Sequence, residues 1–255
     1  MCPNCRAFIT TDDRVCPYCQ ARVGPRAIDL RQSGQILGGL IPQAHFTTVI
    51  ILVINFALYA ADMLNPDVNK AGESVPWIFM QHEMYRLVTA GFLHGGILHI
   101  LMNSWALFVV GGEIEQFFGA SRMVVFYFVT TVTGFLASSI LGHALSVGSS
   151  AGIFGLMGAM LALGFTDKTS VGQQIKSFYT QWLIFGVVLS FSSGVDIWAH
   201  LGGFAGGFVL SLILGTPRAR LMWKEPLIRG AAGVCIAVTL LCFLRMFMML
   251  MGREG

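Results

Sequence analysis

Charge is scarce in this sequence. Its 16 Lys and Arg and 13 Asp and Glu amount to 11% of 255 residues, while hydrophobic residues make up 55%; an ordinary soluble domain carries about 25% charged residues. That shortage excludes a water-soluble globule and leaves a membrane chain. The formal charge is only +3, too small a surplus to point to nucleic acid, so the placement of the charges matters more than their sum. Low-complexity tracts and internal repeats are also lacking. No cleavable signal peptide is expected either, because the first long apolar stretch begins near Phe46, behind a polar, Cys-containing head that should stay on the chain.

What is present is a series of apolar runs. A bilayer core needs about 20 mostly apolar residues per helix, and seven stretches approach that length: Thr47 to Leu64, His94 to Gly112, Met123 to Leu141, Ser150 to Phe165, Tyr179 to Ser192, Ile197 to Leu214 and Leu227 to Met251. The fourth and fifth are short and, with their glycines and polar residues, are expected in the middle of a bundle. Cytoplasmic loops hold an excess of Lys and Arg. With the N-terminus cytoplasmic, that side collects Arg6, Arg14, Arg22, Arg26, Arg31, Arg122, Lys168, Lys176, Arg218, Arg220, Lys224 and Arg229, against Lys70, Arg86 and Arg253 opposite. An odd number of spans then puts the C-terminus outside and leaves Arg245 inside the seventh helix, to snorkel or to pair within the bundle. Residues 65–93, with Trp77, Phe79, Tyr85 and Arg86, suit a segment lying at the membrane interface.

The head carries Cys2-Pro-Asn-Cys5 and Cys16-Pro-Tyr-Cys19. Two such knuckles ten residues apart have the ligand spacing of one tetrahedral zinc held by four thiolates. About twenty residues cannot bury a self-supporting core, so the metal would supply their folding energy, as a structural Zn2+ with no catalytic part. Reduced thiols fit a cytoplasmic N-terminus. The other two cysteines, Cys235 and Cys242, are about 10 Å apart along one helix, beyond disulfide reach, and read as small apolar residues.

Four polar features interrupt the apolar spans. His99 and Asn103 stand at i and i+4 on one helix face, either as an interhelical hydrogen-bond pair or as site residues. Gly148-Ser149-Ser150-Ala151-Gly152 fits the loose G-x-S-x-G pattern, yet no strand precedes it as a nucleophile elbow requires. A Ser at such a helix start would sit beside free backbone N–H groups, which suits a developing oxyanion; equally, Ser among glycines can simply pack. His200 lies in Ala199-His200-Leu201-Gly202-Gly203, whose glycines, with Gly206 and Gly207, permit close approach of another helix. If that helix is the one bearing Gly152, Gly155 and Gly158, His200 and Ser150 come together as base and nucleophile. Asp196 is either an orienting carboxylate or a helix-start residue, with the second preferred. His94 packs in the preceding loop or lines the cavity; His45, His82 and His143 read as interfacial.

Together, Tyr85-Arg86, His99-Ile-Leu-Met-Asn103, Gly148-Ser149-Ser150-Ala151 and Ala199-His200-Leu201-Gly202-Gly203 resemble the rhomboid intramembrane serine proteases over roughly residues 45–215. The resemblance implies an all-α membrane protein with a six-helix core, a Ser150–His200 dyad without an essential Asp, His99 and Asn103 at the oxyanion site, and His94, Arg86 and Gly148 in support. It implies integral membrane protein substrates cleaved in or near their transmembrane segments; the rival is a proteolytically silent rhomboid-like protein that binds membrane clients. Ala151 departs from the glycine usual after the nucleophile, so an oxyanion donor there depends on a negative φ. The expected organisation is a zinc-ribbon-like head at 1–20, a linker at 21–44, the core at 45–215, and a loop plus an extra seventh helix at 216–255. A channel is disfavoured because the polar groups form one local cluster.

Overall fold

The computed structural model describes residues 15–21, 35–36, 41–42, 45–79, 81–142, 145–192, 194–216 and 224–252. The chain divides into two compact units, Met1–Gln43 and Ala44–Gly255.

In the first unit, β1 (Gln35–Ile36) pairs antiparallel with β2 (Ile41–Pro42), Gln35 opposite Pro42. Cys16 to Ala21 form a tight turn. The Gln20 N–H donates to Cys16 O and the Cys16 N–H donates to Ala21 O, both at 2.9 Å, with Gln20 at φ +58°. Cys16 is buried; Cys2 and Cys5 lie outside the described residues.

The second unit is helical. Its elements are α1 (Phe46–Leu64), α2 (Asp67–Gly72), α3 (Arg86–Thr89), α4 (Ile97–Phe118), α5 (Ala120–Ala137), α6 (Ser150–Thr166), α7 (Ser170–Leu189), α8 (Ile197–Leu214) and α9 (Glu225–Met251). Among the described residues, five helices are long and apolar enough to cross a membrane: α1, α4, α5 continued by a π turn to Gly142, α8 and α9. These are the spans of a multi-pass integral membrane protein.

Helix ends are set by local chemistry. The buried Glu115 carboxylate of α4 accepts the Thr47 and Thr48 N–H groups at 3.0 and 2.7 Å and the Thr48 hydroxyl at 2.6 Å, satisfying orphan donors at the start of α1. Gly119, at φ +85°, ends α4 and opens α5. Pro226 occupies the first turn of α9, where its missing N–H costs nothing.

The expectation that both short spans sit mid-bundle holds for one of them. α6 is buried from Ala151 to Gly164 without a polar face and packs against α4, α5, α7 and α8. α7 is the exception. It starts at Ser170, nine residues before the expected edge, runs for 20 residues, and buries only Gly172, Ile175 and Tyr179 while exposing Ile184, Phe185 and Val188. Its first turns, with Gln173, Gln174 and Lys176, are too polar for the hydropathy pattern to announce them.

Glycines bring α8 against two neighbours at once. A Cβ on Gly203 or Gly207 would collide with the carbonyls of Ala151 or Gly155 on α6, whereas one on Gly202 or Gly206 would meet Thr133 on α5. Such backbone contact is what small residues permit.

One further expectation changes. Arg86 is not an interfacial anchor: it is buried, with Nε donating to Glu83 Oε2 at 2.7 Å and Nη1 donating to Lys70 O and Glu73 O at 2.9 and 3.0 Å, because a guanidinium can gather loop carbonyls that the apolar interior would otherwise leave unpaired. Arg245 is exposed on α9 and makes no ion pair among the described residues, which agrees with snorkelling, the first of its two expected alternatives. Among the interfacial histidines, His82 is exposed, His45 stacks on Phe108 at 5.2 Å, and His143 lies outside the described residues.

Candidate active site

The site gathers at one end of the bundle, where α4, α6 and α8 begin and α7 ends. Gly148 adopts φ +131°, a conformation that side chains rarely tolerate, and its N–H donates to Ala90 O at 2.9 Å. This aims the chain into α6. Ser150 is the first helical residue and half-buried. The first bond that closes a turn here is from the Ile153 N–H to Ser149 O, so the N–H groups of Ser150, Ala151 and Gly152 have no partner within the helix.

Ala151 is fully buried in α6 and is not among the positive-φ residues. Its methyl packs where Gly134 of α5 leaves room. Its N–H therefore keeps the helical direction.

His99 stands directly across from this helix start. A Cβ on Gly148 would lie 2.7 Å from His99 Nε2 and 3.6 Å from Ser150 Oγ, so both atoms border one small space. The Gly95 N–H donates to His99 Nδ1 at 3.4 Å, which makes Nδ1 the acceptor and leaves Nε2 as the protonated, donating nitrogen. Asn103 is buried, and one N–H of its amide donates to His99 O at 3.1 Å, along its own helix.

His94, in the loop before the α4 span, is 1% exposed. Its ring meets His99 edge-on at 5.2 Å, and its Nε2 is 3.4 Å from Ser149 Oγ. Burial, with His99 adding to it, holds the His94 imidazole well below its ordinary range. It is neutral near pH 7 and packs as a polar wall.

His200 is placed from three directions. Phe154, one turn after Ser150, stacks on its ring at 4.0 Å and 11°. The α6–α8 glycine contact fixes its height. Ser190 Oγ, at the end of α7, is 2.6 Å from His200 Nδ1. No hydrogen bond among the described residues joins Ser150 to His200; such bonds are often open without substrate and tighten in the complex.

Asp196 does not touch the imidazole through a hydrogen bond. Its Oδ1 accepts the Ala199 N–H at 3.0 Å and its Oδ2 accepts the Ser138 hydroxyl, making it the N-cap of α8. Arg86 belongs to the 65–93 segment as described. Sequence patterns did not single out Phe154 or Ser190, although the notably helical i+4 spacing of Phe154 from Ser150 was available.

The Rhomboid domain family model matches residues 81–217. RHOMBOID-like protein 1 of Arabidopsis thaliana is 38% identical over 144 residues, 54% of this chain and 36% of that protein. Rhomboid protease GluP of Bacillus subtilis (strain 168) is 31% identical over 167 residues, 65% of this chain and 33% of that protein. Rhomboid-like protease 3 of Toxoplasma gondii is 30% identical over 166 residues, 63% of each. The chain thus spans between about a third and somewhat under two thirds of these relatives' length.

Proposed function

The chain belongs to the rhomboid family, and from that premise we propose that it is an intramembrane serine endopeptidase acting on other integral membrane proteins. One observation carries the reading: Ser150 Oγ and His99 Nε2 border the same space at Gly148, beside a helix start with free N–H groups and with His200 packed one turn away on Phe154.

In the proposed reaction, His200 Nε2 takes the Ser150 proton as Oγ attacks a substrate carbonyl. The carbonyl oxygen becomes an oxyanion facing the His99 Nε2–H and the N–H groups at the start of α6, with Asn103 close by. The C–N bond then breaks, and His200 returns the proton to the leaving amine. Water, deprotonated by His200, hydrolyses the acyl-enzyme and restores Ser150. The glycine-lined approach favours substrates with small residues at the cut. Gly148 shapes the pocket, His94 walls it, and Arg86 holds the first loop over it.

The test is cleavage of a reporter membrane substrate by the purified full chain in liposomes. Wild-type protein should cleave it, and Ser150→Ala and His200→Ala should each abolish cleavage. Persistence of the products with Ser150→Ala would refute the reading. Client binding without cleavage by the wild type would favour a proteolytically silent binder.

The head is proposed to hold one structural zinc through Cys2, Cys5, Cys16 and Cys19. The buried Cys16 thiol and the closed turn that carries Cys19 fit a thiolate knuckle, and the metal would tie the two knuckles together. Metal analysis of purified protein should find about one zinc per chain, lost in Cys16→Ser. The N-terminus is proposed to be cytoplasmic from the Lys and Arg distribution; protease protection of a tag at either end in oriented vesicles decides it.

A further inference from the structure

Ser190 Oγ lies between two groups. It is 2.6 Å from His200 Nδ1 and 2.7 Å from Gly186 O, and both Ser190 and His200 are buried, at 4% and 7% exposure. A carbonyl oxygen can only accept, and a serine hydroxyl has one proton. That proton therefore goes to Gly186 O, and Oγ turns a lone pair to the imidazole. Nδ1 must then carry a hydrogen, and the neutral ring's free lone pair falls on Nε2.

From this we infer that Ser190 is the positioning residue of the His200 base, selecting the Nδ1–H tautomer and holding the ring edge so that Nε2 is the proton acceptor. The inference rests on the protease reading for its role in turnover, but not for the tautomer itself.

Other groups near the ring leave this task open. Both Asp196 oxygens are occupied by the Ala199 N–H and the Ser138 hydroxyl. Phe154 fixes the plane of the ring but cannot tell one nitrogen from the other. His99 uses its Nδ1 on Gly95 and its Nε2 on the Gly148 space. Ser190 thus does for His200 what an orienting carboxylate does in a triad, without adding a charge to the interior. It is supplied by α7 and not by the helix that carries the base.

A structural consequence follows. The tautomer of His200 depends on where the end of α7 sits, and α7 buries few of its residues. Displacement of that end would withdraw the acceptor from Nδ1.

The experiment has two arms on the full chain. In the first, 15N-histidine NMR of the detergent-solubilised protein, with His200 assigned through His200→Gln, reads the tautomer without turnover. The expected wild-type signal is Nδ1–H, shifting toward Nε2–H in Ser190→Ala. A wild-type Nε2–H signal, or a tautomer unmoved by Ser190→Ala, overturns the inference. If Ser190→Ala does not fold, the wild-type signal alone decides.

In the second arm, reporter cleavage by Ser190→Ala should lose about 10- to 100-fold in kcat at unchanged KM, by analogy with groups that orient a metal-ligating histidine, and Ser190→Thr, which keeps the acceptor oxygen, should recover most of it. An undiminished kcat in Ser190→Ala overturns the role in turnover. If instead wild-type protein fails to cleave, or Ser150→Ala cleaves as well as wild type, the protease reading is lost while the NMR arm still judges Ser190.

Discussion

Arg122 on α5 and Glu225 in the first turn of α9 meet through two hydrogen bonds, Nη1 donating to Oε2 at 3.0 Å and Nη2 donating to Oε1 at 2.7 Å. The Arg122 side chain is 2% exposed and that of Glu225 18%, so the pair is a bidentate fork largely withdrawn from water. It anchors one end of α9. Toward the other end, Met246 fills the space beside Gly72 and Leu93, and Phe243 meets Phe92 edge-on at 5.3 Å. The seventh helix thereby grips the segment that leads to Ala90, whose carbonyl holds Gly148.

Breaking that fork should be costly. Glu225→Ala leaves a buried guanidinium without its partner and is expected to destabilise the protein by about 3 kcal/mol, whereas the double variant Arg122→Leu, Glu225→Leu should recover much of the loss. Unfolding in mixed detergent micelles measures both. Equal stability of Glu225→Ala and wild type would contradict the anchoring role.

The α6–α8 seam makes a sharper prediction. Gly207→Ala drives a methyl into Gly155 O, an overpacked backbone contact worth about 1–3 kcal/mol or more, and it should also pull His200 from its place and reduce cleavage. Gly230→Ala, with nothing within 4 Å of the new methyl, should leave stability level or slightly raised, since Ala is the better helix former. The two variants belong in the same denaturation series.

Gly148→Ala combines two penalties. The φ of +131° is strained for alanine, and the methyl would stand 2.7 Å from His99 Nε2. The strain is of order 1–3 kcal/mol. The loss of cleavage should exceed what that destabilisation explains, because the methyl occupies the space where the oxyanion is proposed to form. Comparing folded fraction with reporter cleavage separates the two effects.

Asp196 should matter for folding and little for chemistry. Asp196→Asn retains an oxygen for the Ala199 N–H and is expected to keep most of the activity, while Asp196→Ala removes the cap at about 1 kcal/mol. A collapse of kcat in Asp196→Asn with stability intact would return Asp196 to the role of orienting carboxylate.

The spans illustrate what could be read in advance. Hydropathy located the seven long helices of the described residues in order, because a residue's preference for lipid is its own property and survives without knowledge of its neighbours. It misjudged the start of α7, whose first two turns are polar enough to break the apolar run. It also could not tell a buried short helix from an exposed one: α6 and α7 resemble each other in length but not in the number of sides they cover.

At the candidate site, the sequence by itself determined which side chains can act as nucleophile, base or donor, and that they fall at the ends of separate apolar runs. Ser150, His200, His99 and Asn103 are legible because polar groups are costly in lipid and therefore conspicuous. The contacts each of them makes were decided only by the tertiary structure. The rotation of each helix about its axis turned Gly203 and Gly207 to α6 and Gly202 and Gly206 to α5, and brought Ser190 to His200. Those choices are set by packing between side chains distant in sequence, which a pattern along one chain does not encode.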